Sequence, residues 1–311
     1  TPAGESAEKP AAAAPAPKAE APARPAPRPA APKPAPQPAV NEIKPEIVAP
    51  EQLHDRLAEL KAQGYGLLEN LTGTDWGEEG LGAVYTLTNP ETFEMVHVKA
   101  VSPNREQPVL PSACDLWDIA NFYEREVYDF YGVIFVNHPD LRRIFLREDW
   151  VGFPFRKDDK PEEKNEEIAV GDEPISDLAP CYTLNADGSL HCEKTPIFGE
   201  DDYVINLGPQ HPSTHGVLHF RTRIDGEIIT KIDPHLGYIH RAIEKISEDL
   251  TYPQTLALTD RMDYLGAMQN RHALCACIEQ AMGVEVSDRV QVIRTIMDEL
   301  QRLNSHLLFY S

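Results

Sequence analysis

The sequence contains no long apolar run and comparatively few positive charges. No stretch approaches the roughly 20 apolar residues that a membrane-spanning helix requires, so a membrane-embedded chain is not predicted. There are 29 Lys and Arg against 50 Asp and Glu, which gives a formal net charge of −21 at pH 7. Because a phosphate backbone would be repelled by so acidic a chain, the composition argues against nucleic-acid binding.

Cysteine is also scarce. The chain has five cysteines, an odd number, and none of them lie in CxxC spacing. This pattern favours neither a disulfide framework nor a four-cysteine cluster site. We therefore predict that the chain itself binds no metal and no iron–sulfur cluster, and that it is cytoplasmic and reduced.

Proline and alanine are concentrated at one end. Of residues 1–40, 15 are Ala and 12 are Pro. Such a tract cannot bury a core, and its prolines favour extended, polyproline-like segments. We predict a disordered tether over residues 1–40.

Residues 41–157 are predicted to form an α+β domain. Leu53, Leu57 and Leu60 form one apolar stripe at helical spacing, and Gly64 follows as a C-cap. The segments "GAVYTLTN" and "FEMVHVKAV" are typical of strands, whereas "LWDIANFYEREVYDFYG" returns to a helical period.

The last of these segments carries three charged residues at helical spacing. Glu124 and Arg125 precede Asp129 by about one turn. The spacing predicts salt bridges along the end of an amphipathic helix. We expect a structural role for this segment.

An acidic linker is predicted over residues 158–200, because the segment is rich in turn formers and poor in apolar residues. The second ordered region, residues 201–311, opens with the strand "YVINL". "VLHFRTRI" and "EIITKI" then flank Asp225-Gly226, a strong hairpin signal.

Two long amphipathic helices are predicted after the hairpin. The first, "DRMDYLGAMQNRHALCACIEQAMG", ends at Gly283, and the second begins after an N-capping Ser287. The short loop between them predicts an antiparallel pair of a bundle. The helical pattern continues to Ser311 without a cap, so we expect a chain truncated within its bundle. The fold class is therefore α+β: a disordered tract, an α+β domain, a small β-hairpin region and the start of a helical bundle.

The loop "NLGPQHPSTHG", residues 206–216, concentrates histidine, proline and glycine. Pro212 prevents His211 and His215 from acting as an i, i+4 helical pair, so metalloprotease chemistry is not indicated. Loops that project beyond a sheet edge commonly carry binding groups. A proline-stiffened turn whose histidines bond only to backbone is the alternative that spacing leaves open.

Several motifs in succession resemble a known family. "GPQHPSTHGVL", "DPHLGYIHRAIEKISE", "TYPQTLALTDRMDYL" and "ELQRLNSHL" resemble the quinone-site D subunit (49-kilodalton type) of respiratory complex I, a relative of hydrogenase large subunits. "EREVYDFYGVIFVNHPDLRRIF" and "GFPFRKD" resemble its partner, the C subunit (30-kilodalton type). The chain is similar to a fused C–D subunit, as some bacteria have. Residues 41–157 are called the C-like region below, and residues 201–311 the D-like region.

The resemblance implies roles for three residues. His215 and Tyr264 match the family's histidine and tyrosine that hold the quinone carbonyl groups. Arg241 matches an arginine close to the terminal iron–sulfur cluster, which belongs to a neighbouring subunit. Arg271 departs from the pattern, since glutamate is common after the asparagine, and its effect on the site is open.

The resemblance also implies a location in the cell and a role within a larger complex. The chain is expected to be a peripheral-arm subunit of a proton-translocating NADH:quinone oxidoreductase, on the cytoplasmic side of the cell inner membrane. Quinone would be the substrate, NAD would bind to other subunits, and the partners would be the cluster-bearing subunit and the membrane arm. The alternative is a non-catalytic scaffold or assembly fragment of that complex, because the bundle is incomplete.

Overall fold

The computed structural model describes residues 44–159, 175–211 and 216–310. The predicted tether, residues 1–40, and the candidate residue His215 lie outside the described residues. The α-helices are α1 (Leu53–Ala62), α2 (Ala120–Tyr131), α3 (Ile243–Glu248), α4 (Tyr252–Thr259), α5 (Ala267–Met282) and α6 (Asp288–Tyr310). The strands are β1 (Glu46–Val48), β2 (Leu67–Asp75), β3 (Leu81–Thr88), β4 (Met95–Ser102), β5 (Val109–Pro111), β6 (Ile134–Val136), β7 (Leu178–Leu184), β8 (Leu190–Pro196), β9 (Val204–Leu207), β10 (Gln210–His211), β11 (Gly216–Val217), β12 (His219–Asp225) and β13 (Ile228–His235).

The C-like region is built on a four-stranded sheet of order β1-β4-β3-β2. Only the β1–β4 pair is parallel. Leu53, Leu57 and Leu60 of α1 are all buried in the main hydrophobic core, which confirms the predicted stripe. The mixed helices and sheets confirm the α+β class.

A second sheet has the order β5-β6-β7-β8, and it overturns part of the linker prediction. Residues 178–196 are not linker; they form an antiparallel hairpin whose β7 pairs with β6 through Val136 and Tyr182. The turn has Gly188 at φ 81°, beside Asp187, whose carboxylate accepts from the Ser189 N–H at 3.0 Å. Most positions of β8 are exposed, so the apolar alternation that marks a strand is missing from its sequence.

Glu124, Arg125 and Asp129 of α2 are buried, and they do not form the predicted salt bridges along the helix. Asp129 Oδ2 accepts from the backbone N–H groups of Ile144, Phe145 and Leu146 at 3.1, 2.8 and 2.9 Å. Asp129 Oδ1 accepts from Arg143 at 2.8 Å. This carboxylate therefore fixes the loop that follows β6, since a buried charge needs such partners.

Glu124 is a second buried carboxylate of α2. It accepts from the Ala113 N–H and the Ser112 hydroxyl, both at 2.7 Å. Burial nevertheless raises the pKa of Glu124 to about 7, against the lowering effect of these hydrogen bonds and of the Cys114 thiol. The charged form is thus disfavoured inside the C-like region.

The D-like region opens with a three-stranded antiparallel sheet of order β13-β12-β9. The predicted hairpin is confirmed: β12 and β13 meet at Asp225 and Ile228, with Gly226 at φ 61°. The predicted strand "YVINL" is β9, which pairs with β12. This sheet carries the strands that flank the loop of residues 206–216.

Asp233, on β13, joins this sheet to the C-like region. Its Oδ1 accepts from Nη2 of Arg142 at 2.6 Å, and its Oδ2 accepts from Nε and Nη2 of Arg221 at 3.0 and 2.6 Å. His235 Nε2 lies 3.0 Å from the same Oδ2. Burial alone would raise the pKa of Asp233, but the hydrogen bonds from His235, Arg142 and Arg221 hold that pKa well below its usual range. We call these four residues the Asp233 cluster.

Helices α5 and α6 form the predicted antiparallel pair. His272 Nδ1 lies 2.6 Å from an oxygen of Asp298, and Arg294 donates to Glu279 at 2.8 and 2.5 Å. Leu300, Leu303, Leu307 and Leu308 of α6 are exposed. Among the described residues, every helix is too short or too polar to cross a membrane.

Asp233→Asn should destabilise the purified chain by about 3 kcal/mol at pH 7, because it removes the buried carboxylate that both arginines share and leaves Arg221 with only the exposed carboxylate of Asp177. The folded-state pKa is depressed, so the carboxylate's contribution is complete above the unfolded-state pKa of about 3.9 and is lost as the pH falls below it. Urea unfolding followed by circular dichroism measures the difference. Glu299→Gln, in an exposed pair with Arg302, is the control and should cost less than about 1 kcal/mol. An Asp233→Asn variant as stable as that control would contradict the account.

Glu124→Gln should change the pH dependence of stability. Since the folded-state pKa of Glu124 is raised, its contribution is complete below the unfolded-state pKa and is lost as the pH rises toward 7. Relative to the variant, the wild-type chain should lose about 3 kcal/mol between pH 4 and pH 8. The same urea titration at several pH values checks this, with the exposed Glu78→Gln as control. Parallel curves for wild type and Glu124→Gln would refute it.

Candidate functional site

Tyr264 begins a short 3-10 turn, Tyr264–Gly266, immediately before α5. The prediction that it lies within a long helix was wrong, because Asp263 is extended at φ −140° and caps the turn. The Asp263 carboxylate accepts from the Leu265 N–H at 3.0 Å. Aspartate competes for backbone donors in this way, which favours a cap over a helix interior.

Side chains from both long helices hold the backbone around Tyr264. Asn270 donates to the carbonyl oxygens of Thr259 and Asp263 at 3.3 and 3.2 Å. Gln301, on α6, donates to the Leu265 carbonyl at 2.7 Å. The turn is therefore fixed to α5 and to α6. Sequence reasoning missed both amides, and their only sequence signal is a polar residue among the apolar positions of a helix.

Arg271 has a structural role that the sequence left open. Its guanidinium forms an ion pair with Asp260, four residues before Tyr264. The arginine thereby adds a third side chain that holds the segment between α4 and α5.

The Tyr264 side chain itself is accessible to a ligand. It is 66% exposed, although the backbone that carries it is held by hydrogen bonds. A phenol can donate its O–H to a carbonyl oxygen and can accept a bond in return. A rigid backbone with an exposed donor is the arrangement expected of a binding group.

The loop of residues 206–216 is described at its two ends only. Gly208 has φ 95°, and a Cβ there would lie 2.1 Å from the Leu218 carbonyl oxygen, so this position requires glycine. Beyond it, β10 pairs with β11 through His211 and Gly216. Both ends of the loop are thus fixed beside β12, whereas His215 lies outside the described residues.

Arg241 lies between the 3-10 turn Gly237–Ile239 and α3. Its side chain is exposed, and within the part of the chain described it forms no ion pair. Ala242, the next residue, has φ 51°, a left-handed conformation that is unusual for alanine. The described residues bring no hydrogen bond, ion pair or ring contact between Arg241 and Tyr264.

One group of side chains has the composition of a metal site. Cys114, Glu124 and His138 offer ligand atoms within 4.8 Å of one another. However, His138 Nδ1 accepts from the Asp140 N–H at 3.0 Å, and Nε2 lies 3.1 Å from the Asn121 carbonyl oxygen, to which it donates. Both ring nitrogens are thus engaged, and burial raises the pKa of the Cys114 thiol to about 12. We assign this group to the core.

Comparisons with known proteins find similar sequences along most of the chain. The family described as respiratory-chain NADH dehydrogenase, 30 Kd subunit, matches residues 47–165. The chain is 55% identical to the C/D subunit of NADH-quinone oxidoreductase from Bacteroides thetaiotaomicron, over 86% of this chain and 52% of that protein. It is 59% identical to the C/D subunit from Phocaeicola vulgatus, over 84% of this chain and 50% of that protein. The C/D 2 subunit from Aquifex aeolicus is 39% identical, over 73% of this chain and 40% of that protein.

These matches continue across both regions of the chain, because their coverage extends far beyond the residues that match the 30 Kd family. The chain spans about half the length of the curated relatives it matches. The likeness to the C subunit and the likeness to the D subunit are therefore parts of one fused sequence. Over 84–86% of its length the chain is similar to fused C/D subunits of NADH-quinone oxidoreductase, and residues 47–165 match the 30 Kd subunit family.

Proposed function

We propose that this chain is a peripheral-arm subunit of a proton-translocating NADH:quinone oxidoreductase, and that it contributes the quinone headgroup site. His215 and Tyr264 are the two groups that contact the quinone carbonyl oxygens. The observation that supports this most directly is Tyr264, which joins an exposed phenol to a backbone held by Asp263, Asn270 and Gln301. The family's relatives are named for quinone as acceptor.

The chemistry of quinone reduction suits these two groups. Reduction of a quinone to a hydroquinone takes up two electrons and two protons, and the carbonyl oxygens become basic as they gain charge. A phenol and an imidazolium can each hydrogen-bond to such an oxygen and donate a proton to it.

Electrons reach this site from outside the chain. We propose that the terminal iron–sulfur cluster lies in a neighbouring subunit and that Arg241 faces it, while other subunits bind NAD. The exposed guanidinium of Arg241 fits that role, since a fixed cation favours the electron-rich state of a nearby cluster. The membrane arm is the other partner, which places the chain at the cytoplasmic face of the cell inner membrane as a peripheral protein.

Tyr264→Phe and His215→Ala should each reduce quinone turnover of the assembled oxidoreductase by at least about 10-fold, because each removes a proton donor at the reacting oxygen. Reduction of the terminal cluster by NADH should be unchanged in both variants. Steady-state quinone reduction and freeze-quench electron paramagnetic resonance of the cluster measure the two steps separately.

The matched control is Tyr203→Phe, which removes a hydroxyl from a tyrosine of similar exposure, 68%, before β9. It should leave both steps at wild-type rates. Wild-type quinone turnover in the Tyr264 and His215 variants would favour a scaffold without catalytic groups instead.

A further inference from the structure

The turn that precedes Arg241 packs on aromatic rings of the C-like region. The His240 ring lies 5.2 Å from the ring of Phe130 and 5.4 Å from the ring of Phe145, tilted by 29° to each. Phe130 and Phe145 stack on each other at 5.7 Å and 4°. Burial lowers the pKa of His240, so its ring is neutral near pH 7 and can pack as an aromatic group.

A backbone contact brings the same turn close to Phe145. A Cβ at Gly237 would lie 2.2 Å from the Phe145 carbonyl oxygen, so the two main chains approach as closely as only glycine permits. Gly237 and His240 are the two ends of this contact, three residues apart. The turn is thus held at both ends by the loop around Phe145.

The loop around Phe145 is itself rigid. Asp129 accepts from the Phe145 N–H at 2.8 Å and from the N–H of each neighbouring residue. Phe155 adds a further ring, at 4.5 Å from Phe130. A buried carboxylate and a ring cluster therefore fix the surface on which His240 lies.

Arg241 follows His240 directly, and α3 begins two residues later at Ile243. The bend between them is made by Ala242 at φ 51°, which L side chains rarely adopt. Such a conformation persists only where the flanking segments are held. The ring contact of His240 fixes the segment before Ala242, and the first turn of α3 fixes the segment after it.

We propose that Phe130, Phe145 and His240 are positioning residues. Through them the C-like region fixes the direction in which the Arg241 side chain projects from the backbone. The C-like region thereby influences the part of the site that faces the iron–sulfur cluster. This inference rests on the proposed function of Arg241, and it extends that function to residues of the other region.

The test uses the assembled oxidoreductase with the full-length subunit and four variants: His240→Ala, His240→Phe, Phe145→Leu and Arg241→Met. Hydrogen exchange followed by mass spectrometry reports on the peptide that covers residues 236–243. Redox titration of the terminal cluster by electron paramagnetic resonance reports on Arg241. Neither readout depends on quinone turnover.

His240→Ala should accelerate exchange in residues 236–243 by about 10-fold, since it removes an aromatic contact, and should leave exchange in the β12–β13 hairpin unchanged. It should also lower the cluster's reduction potential, as Arg241→Met should do by removing the cation itself. Phe145→Leu should act in the same way, and His240→Phe should retain wild-type behaviour. The double variant of His240→Ala and Arg241→Met should shift the potential no further than Arg241→Met alone.

Two results would overturn the inference, and they are distinguishable. If Arg241→Met shifts the potential but His240→Ala changes neither exchange nor potential, the rings do not position Arg241. If Arg241→Met itself leaves the potential unchanged, the proposed place of Arg241 beside the cluster is wrong, and the inference fails with it.

Discussion

The buried carboxylate of Asp233 pairs with groups from both regions of this chain. It accepts hydrogen bonds from Arg142 of the C-like region and from Arg221 of the D-like hairpin, and it lies 3.0 Å from His235 of the same hairpin. Asp140 binds Arg142 from the other side at 2.7 Å, so neither arginine is left without a counter-ion. Because an isolated charge cannot be buried, the two regions must adopt the one relative position that pairs these groups.

The rest of the candidate site depends on this position. The hairpin fixed by Asp233 pairs with β9, the strand that leads into the loop of residues 206–216. The hairpin itself leads directly into the turn of Gly237 and His240. That turn packs against Phe145, which lies in the loop of the C-like region that Asp129 holds by hydrogen bonds. The C-like region thus contacts the segment that presents Arg241. Tyr264 is fixed separately, by side chains of α5 and α6.

The elements that the sequence predicted correctly are those that carry a local signal. The stripe of Leu53, Leu57 and Leu60 and the hairpin at Asp225-Gly226 are examples, because each carries a local apolar or turn signal. The hairpin of residues 178–196 lacks that signal, since its strands are largely exposed and its pairing to β6 is set by the tertiary fold. A sequence cannot reveal such a partner.

The polar contacts were harder still to foresee. Arg125 and Asp129 have the i, i+4 spacing of a surface ion pair, yet Asp129, like Glu124, is buried and bound to a backbone donor of another segment. Tyr264 lies in a helical pattern, but the Asp263 cap interrupts it. The family resemblance supplied the candidate residues His215, Tyr264 and Arg241, whereas the groups that hold the last two became visible only from the three-dimensional contacts.

The measurement that tests the central claim most directly is photolabelling of the assembled oxidoreductase with a quinone that carries a photoreactive headgroup, followed by peptide mapping. The account predicts that label is found in the peptides that contain Tyr264 and residues 206–216, and that excess unmodified quinone removes it. Label found only in other subunits, or elsewhere in this chain, would contradict the proposed headgroup site.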